Sequence, residues 1–208
     1  MRRKSSLCAF LCACSFFAVT ACNNYDLLQK LENPGQSSVG PGPRNLRIFV
    51  SNAFNNGNLG GAAGADIICL SDTANPMGAD NGSWKALIVG GGRRACSTPY
   101  CSGGAAENID WALKPNTNYV RPNGLVIGNT DPAGLLVFPL NSAISDLTTT
   151  FAWTGLAGDW MTGSTCTDWG NGTSGSGDRG GVDKNDPQAI NIGIDTCGTS
   201  QRLYCVEQ

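Results

Sequence analysis

The sequence lacks histidine, and only 14 % of its 208 residues carry a charge, against roughly 25 % in a typical soluble domain. Without histidine the chain cannot build a Ser-His-Asp or Cys-His catalytic site, a histidine-ligated metal centre or a histidine pH switch. It also lacks a block of basic residues past its N-terminus, where the longest run is the pair Arg93-Arg94. The basic patch of a nucleic-acid-binding protein is therefore missing, and we expect this pair to lie in a solvated loop.

The sequence also lacks an apolar run of the length that spans a bilayer, which is about 20 residues. The apolar run before Cys22 is shorter than this. It follows Arg2, Arg3 and Lys4 and ends in Val19-Thr20-Ala21-Cys22. A basic start, an apolar centre and small residues before the cut are typical of a secretory signal, and a Cys directly after them resembles a bacterial lipobox. We predict a signal peptide over residues 1–21 and a lipidated Cys22 that anchors the protein to a membrane. The alternatives are a conventional signal cut a few residues later and a short transmembrane helix.

The next segment, residues 22–45, is predicted to be a lipidated N-terminus followed by a flexible tether. Its run Gly40-Pro41-Gly42-Pro43 favours an extended chain. Residues 46–208 then suit one domain by length.

The domain at residues 46–208 contains six cysteines. Because an even number of cysteines in an exported protein is typical of a disulfide framework, the sequence predicts three disulfides. The six cysteines are Cys69, Cys96, Cys101, Cys166, Cys197 and Cys205. A zinc site is not expected, because no pair has the short spacing of zinc ligands and histidine is absent. Spacing alone leaves the pairing open.

The pattern of apolar residues predicts one helix and several short strands, and hence an α+β domain. The helix is expected over Gly61–Leu70, where Ala62, Ala65 and Cys69 recur at helical spacing. Strands are expected at 46–51, 84–89, 125–127, 135–138, 151–153, 190–194 and 203–206. The polar, Gly-rich stretch from Cys166 to Gln188 is predicted to be one long loop.

Four features in this order resemble a C-type lectin-like domain. They are a helix that ends in Cys69, the strand Trp153-Thr154-Gly155-Leu156, the pair Cys166 and Cys197 around a polar loop, and the terminal strand Leu203–Glu207. The resemblance implies antiparallel sheets with long disulfide-stapled loops, a Cys69–Cys205 bridge that ties the ends of the domain, and a Cys166–Cys197 bridge. Cys96 and Cys101 are then left to each other.

A closer resemblance covers about residues 46–208 and is carried by short stretches such as Phe49-Val50-Ser51, Gly64–Cys69 and Trp84-Lys85-Ala86. These stretches are similar to leptospiral surface lipoproteins that carry a lectin-like domain of unknown function, of the DUF1554 type. By this resemblance the tryptophans at 84, 111, 153, 160 and 169 are expected to be core or shelf residues rather than platforms for sugars.

The resemblance implies an adhesin on the outer-membrane surface. The expected partners are host extracellular-matrix or plasma proteins, including complement regulators such as factor H and vitronectin, and the expected consequence is immune evasion. A purely structural lipoprotein of the envelope remains an alternative. No enzymatic activity is expected, since no nucleophile stands with a base at a defined spacing.

Calcium-dependent carbohydrate binding is the second alternative, because hard calcium takes oxygen ligands. Asp178, Asp183, Asn185 and Asp186 are the candidate ligands. The usual sugar-binding triplets of the lectin-like fold are only faintly echoed by Asn185–Gln188, and Ile192-Gly193-Ile194 stands where the second triplet is expected. The competing interpretation is a solvated turn region rich in Asn and Asp. Apart from calcium, no cofactor is expected.

Overall fold

The computed structural model of the protein describes residues 45–208. The predicted signal peptide, the lipidation of Cys22 and nearly all of the predicted tether lie outside the described residues. Within the described part, no helix is long and apolar enough to cross a membrane.

The described residues contain eight short β-strands, which form the sheet of the domain. They are β1 (Leu46–Val50), β2 (Trp84–Ala86), β3 (Asn118–Val120), β4 (Val126–Asn129), β5 (Phe151–Trp153), β6 (Ser176–Gly181), β7 (Gly193–Thr196) and β8 (Arg202–Glu207). The helix α1 covers Gly61–Ser71. Single 3₁₀ turns cover Pro99–Cys101, Gly104–Glu107 and Pro187–Ala189, and one turn at Cys166–Trp169 has positive φ at all four residues.

The C-terminal strand β8 is the centre of the sheet. The strand order is β4-β3-β1-β8-β5-β6-β7, and β2 also pairs with β8. β8 runs antiparallel to β1 and β2 and parallel to β5. The first and last strands of the domain are thus neighbours, although more than 100 residues separate them in the chain.

Alternation along β8 gives the domain a hydrophobic core on each face of the sheet, because successive side chains of a strand point to opposite faces. Tyr204 and Val206 belong to one core, and Leu203 and Cys205 belong to the other. All four are fully buried. β8 therefore lies in the interior on both sides, which explains its nearly continuous apolar sequence.

Helix α1 covers the second of these cores with Ala62, Ala65 and Cys69. The helix ends at Ser71, and the backbone of the next residue, Asp72, is extended. The Asp72 carboxylate accepts hydrogen bonds from the backbone N–H groups of Asn52, Ala53 and Ala74, at 2.7 to 3.0 Å. This carboxylate joins the end of α1 to the segment that follows β1.

Three disulfides brace the described domain: Cys69–Cys205, Cys96–Cys101 and Cys166–Cys197. The pairing is the one that the resemblance implies. The first bond ties α1 to the central strand β8 across a sequence separation of 136.

The predicted α+β character is confirmed, since the described domain is mostly β-sheet with a few short helices. The helix and the strands at 46–51, 151–153 and 203–206 are found where the apolar pattern places them. The strand expected at 84–89 is shorter and ends at Ala86. Two more are displaced: β4 begins at Val126 rather than Leu125, and β7 begins at Gly193 rather than Ile190.

Two predictions of elements are wrong. Residues 135–138 form no strand, and Leu135 and Leu136 are buried in an irregular segment, which a short apolar run cannot distinguish from a strand. The stretch from Cys166 to Gln188 is not one long loop, because it contains β6. The glycines of β6 are required by packing: a Cβ at Gly177 would lie 2.9 Å from the Trp153 ring, and one at Gly180 would overlap the Ala189 carbonyl oxygen.

Candidate functional site

Of the four predicted calcium ligands, Asp178 is the one placed inside the fold. It lies on β6 and is 6 % exposed. Its carboxylate accepts hydrogen bonds from Ser164 N (2.6 Å) and Asn191 Nδ2 (2.9 Å). Burial raises the pKa of Asp178 and outweighs these hydrogen bonds, which lower it. Asp178 thus ties the loop around Ser164 and the segment around Asn191 to the sheet.

The other three residues lie in the connection between β6 and β7. Asp183 Oδ1 is 3.5 Å from Lys184 Nζ, the Asn185 carbonyl oxygen accepts a hydrogen bond from Leu140 N (2.6 Å), and Asp186 Oδ1 accepts one from Gln188 N (2.9 Å). Within residues 45–208, no group of three or more acidic or cysteine side chains is placed to hold a metal ion. The calcium site stays a prediction.

The sequence predicts that the pair Arg93-Arg94 lies in a solvated loop, but Arg93 is buried and only 2 % exposed. Its Nη2 lies 2.7 Å from Asp66 Oδ2 on α1 and 2.8 Å from Asp110 Oδ2. Burial alone would lower the pKa of Arg93, but hydrogen bonds and charges from Asp66 and Asp110 leave it raised. The solvated-loop prediction is therefore wrong for Arg93, which is a buried ionic tie between α1 and the loop after β2.

All five tryptophans are buried, as expected for core residues. The most exposed of them, Trp111, is 5 % exposed. The indole N–H of Trp169 donates to the Val89 carbonyl at 2.6 Å, and that of Trp153 donates to the Asn55 carbonyl at 2.9 Å. Their rings fill the cores and leave no tryptophan face open for a sugar.

Glu107 is a functional candidate that the sequence interpretation missed. It is 8 % exposed and organises the loop closed by the Cys96–Cys101 disulfide. Its carboxylate accepts hydrogen bonds from N and Oγ of Ser97 (2.7 and 3.0 Å), from N and Oγ1 of Thr98 (2.7 and 2.6 Å) and from Gly103 N (2.6 Å).

These donors lower the pKa of Glu107 to about 2, with the Thr98 hydroxyl as the largest cause. The loop is thus clamped from inside by a charged carboxylate and closed at its ends by a disulfide. In the sequence Glu107 is an isolated acid with no motif around it, so no signal marked it.

The clamped loop presents Tyr100 to solvent. Tyr100 is 65 % exposed and has a positive φ of 54°. Its backbone N–H donates to the Asp159 carbonyl at 2.8 Å, and the next residue, Cys101, is buried and bonded to the equally buried Cys96. A non-glycine residue in this conformation is strained and persists because its surroundings fix it. The result is an exposed aromatic ring on a rigid support.

Comparison with known proteins gives one finding at the level of the family. A family model described as "Protein of unknown function (DUF1554)" matches residues 52–186. This match covers more than half of the chain and includes β2 to β6 and the Tyr100 loop. Among proteins of curated function, no match is found.

Proposed function

We propose that this chain, which belongs to the DUF1554 family of proteins of unknown function, acts as a protein-binding module at the bacterial surface. The observation that carries the proposal is Tyr100, an aromatic side chain 65 % exposed on a loop that a disulfide and Glu107 hold rigid. Tyrosine is one of the residues enriched at the centres of protein interfaces. A rigid support lowers the entropy lost on binding.

The proposal also includes a cellular location and a more specific fold. The lipobox-like Cys22 supports an outer-membrane lipoprotein of the leptospiral type, presented by its tether. The order of helix, bridged cysteines and terminal strand supports a C-type lectin-like fold. Host extracellular-matrix proteins, factor H and vitronectin are the proposed partners by resemblance, with immune evasion as the consequence; fold alone does not fix function.

Calcium-dependent sugar binding is the weaker proposal. The Asp178 carboxylate already accepts hydrogen bonds from Ser164 and Asn191. The tryptophans are buried and offer no ring face to a sugar. A purely structural role in the envelope has no observation in its favour.

The test measures binding of residues 23–208 to immobilised factor H, vitronectin and laminin by surface plasmon resonance. We expect saturable binding of at least one partner. We expect Tyr100→Ala to weaken it by at least about 10-fold, since truncation of an interface hot spot costs about 2 kcal/mol or more and a tenfold change in affinity corresponds to about 1.4 kcal/mol. Ile67→Ala is the matched control, because Ile67 is also 65 % exposed but lies on α1. Absence of saturable binding to plasma and matrix proteins would overturn the proposed function. Equal effects of the two substitutions would remove Tyr100 from the binding surface.

A further inference from the structure

A groove of about 390 Å³ lies between the end of β1, the loop after β3 and the loop before β5. Its apolar lining residues are Phe49, Val50, Ala74, Pro122, Ile144 and Leu147. We call this feature the Arg121 groove, because the side chain of Arg121 forms part of its lining. Its volume falls in the range of small-molecule sites, roughly 300 to 1,000 Å³.

The guanidinium of Arg121 is fixed in the wall of the groove, with a side chain only 7 % exposed. Its Nε donates to the Ala143 carbonyl at 2.8 Å. The Arg121 backbone N–H donates to the Leu125 carbonyl at 2.8 Å, in a turn that holds the residue in place. A buried, always-charged guanidinium needs an anionic or carbonyl partner on its remaining N–H groups.

That partner is Asp146, whose Oδ2 lies 2.6 Å from Arg121 Nη1. The Asp146 side chain is 87 % exposed. Because the Asp146 carboxylate is this exposed, it can turn to solvent and stay hydrated when it leaves the pair, and a dissolved carboxylate can then take its place on the buried guanidinium. Leu147, the next residue, is 42 % exposed beside the same groove.

We propose that the Arg121 groove binds a small amphiphilic monocarboxylate, whose apolar chain fills the groove and whose carboxylate takes the place of Asp146 on Arg121. Charge complementarity selects the head group, because a guanidinium pairs with a carboxylate through directed hydrogen bonds. The apolar lining of the groove selects the hydrocarbon chain of the ligand. In the free protein Asp146 occupies the anion position as an internal competitor.

The experiment uses residues 23–208 and octanoate as the probe, with octanol as its neutral counterpart, followed by isothermal titration calorimetry. The key variant is Asp146→Asn, which removes the competing charge from an exposed side chain and leaves Arg121 intact. We expect it to bind octanoate about 5-fold more tightly than the wild type, a change of about 1 kcal/mol, because octanoate no longer competes with the Asp146 charge for Arg121. Asp80→Asn, at another exposed acid, is the control for the loss of one negative charge and should leave octanoate affinity unchanged.

A second measurement locates the ligand. In amide NMR spectra, octanoate should shift the signals of Val50, Arg121 and Leu147 and leave those of the Tyr100 loop unmoved. The proposal is overturned if octanoate shows no saturable binding to Asp146→Asn, if octanol binds equally well, or if Asp146→Asn and Asp80→Asn behave alike. None of these results depends on whether the chain binds a host protein.

Discussion

At the scale of single residues, Glu107 shows how one charge can decide the shape of a loop. The five hydrogen bonds to its carboxylate come from Ser97, Thr98 and Gly103. Without these hydrogen bonds, the backbone N–H groups of this tight loop would need water as their acceptor, and Tyr100 would lose its rigid support. The charge of Glu107 therefore connects the stability of the domain to the presentation of Tyr100.

Stability should depend on the ionisation of Glu107. Its pKa is lowered from 4.5 to about 2 in the folded state, so its contribution is fully present above pH 4.5 and is lost as the pH falls towards 2. We expect Glu107→Gln to lower the urea midpoint of unfolding at pH 7 and to reduce the loss of stability between pH 4.5 and pH 2. Urea titrations across this pH range measure both effects.

Asp80→Asn, at an exposed acid, is the control for the loss of one carboxylate and should keep the wild-type urea midpoint at pH 7. A Glu107→Gln protein with wild-type stability at pH 7 would show that the carboxylate is not the clamp of the loop.

Arg93 shows why the contacts of a single side chain could not be predicted from the sequence. Its partners Asp66 and Asp110 lie 27 and 17 residues away in the chain. A basic pair after three glycines is typical of a loop, and nothing local marks the carboxylates that neutralise it. Burial of a charge depends on distant partners, which only the fold brings together.

At the scale of elements, β6 exposes the limit of composition as a guide. Its sequence from Ser176 to Gly181 contains three glycines and no apolar side chain, so it reads as a loop by strand propensity. The glycines are there because the Trp153 ring and the Ala189 carbonyl approach the strand closely. By contrast, β1 and β8 carry apolar residues in the sheet pattern, and both were predictable.

The packing at β6 leads to a test with a matched control. Gly180→Ala should lower the free energy of unfolding by about 1 to 3 kcal/mol, the usual cost of overpacking, because its Cβ would overlap the Ala189 carbonyl oxygen. Gly158→Ala adds the same methyl group where no atom lies within 4 Å and should change stability little. Chemical denaturation compares the two, and equal stabilities would argue against close packing at β6.

At the scale of the whole molecule, the disulfides act according to the length of chain they close. Cys69–Cys205 spans a sequence separation of 136, whereas Cys96–Cys101 spans 5. Chain-entropy arguments give the first bond about 5 kcal/mol and the second about 2 kcal/mol. Since the net stability of a domain is about 5 to 15 kcal/mol, the long bridge contributes a larger share of it than the short bridge does.

Removal of each bond tests this order. We expect the paired substitution Cys69→Ala with Cys205→Ala to lower the free energy of unfolding more than Cys96→Ala with Cys101→Ala, by about 3 kcal/mol in the entropy model. Guanidinium denaturation of the two proteins gives the comparison. A larger loss on removing the short bridge would mean that native contacts, rather than loop entropy, govern the effect.

The sequence by itself determined the α+β class, α1, the strands β1, β5 and β8 and the exclusion of histidine chemistry, because these follow from composition and from periodic patterns within a few residues. It also singled out Asp178 as a candidate calcium ligand, which stays a prediction. Only the tertiary structure revealed the clamp at Glu107, the presentation of Tyr100 and the pairing of Arg121 with Asp146. These depend on where the backbone brings separate segments together, and burial, pKa and exposure are properties of that arrangement rather than of the residues.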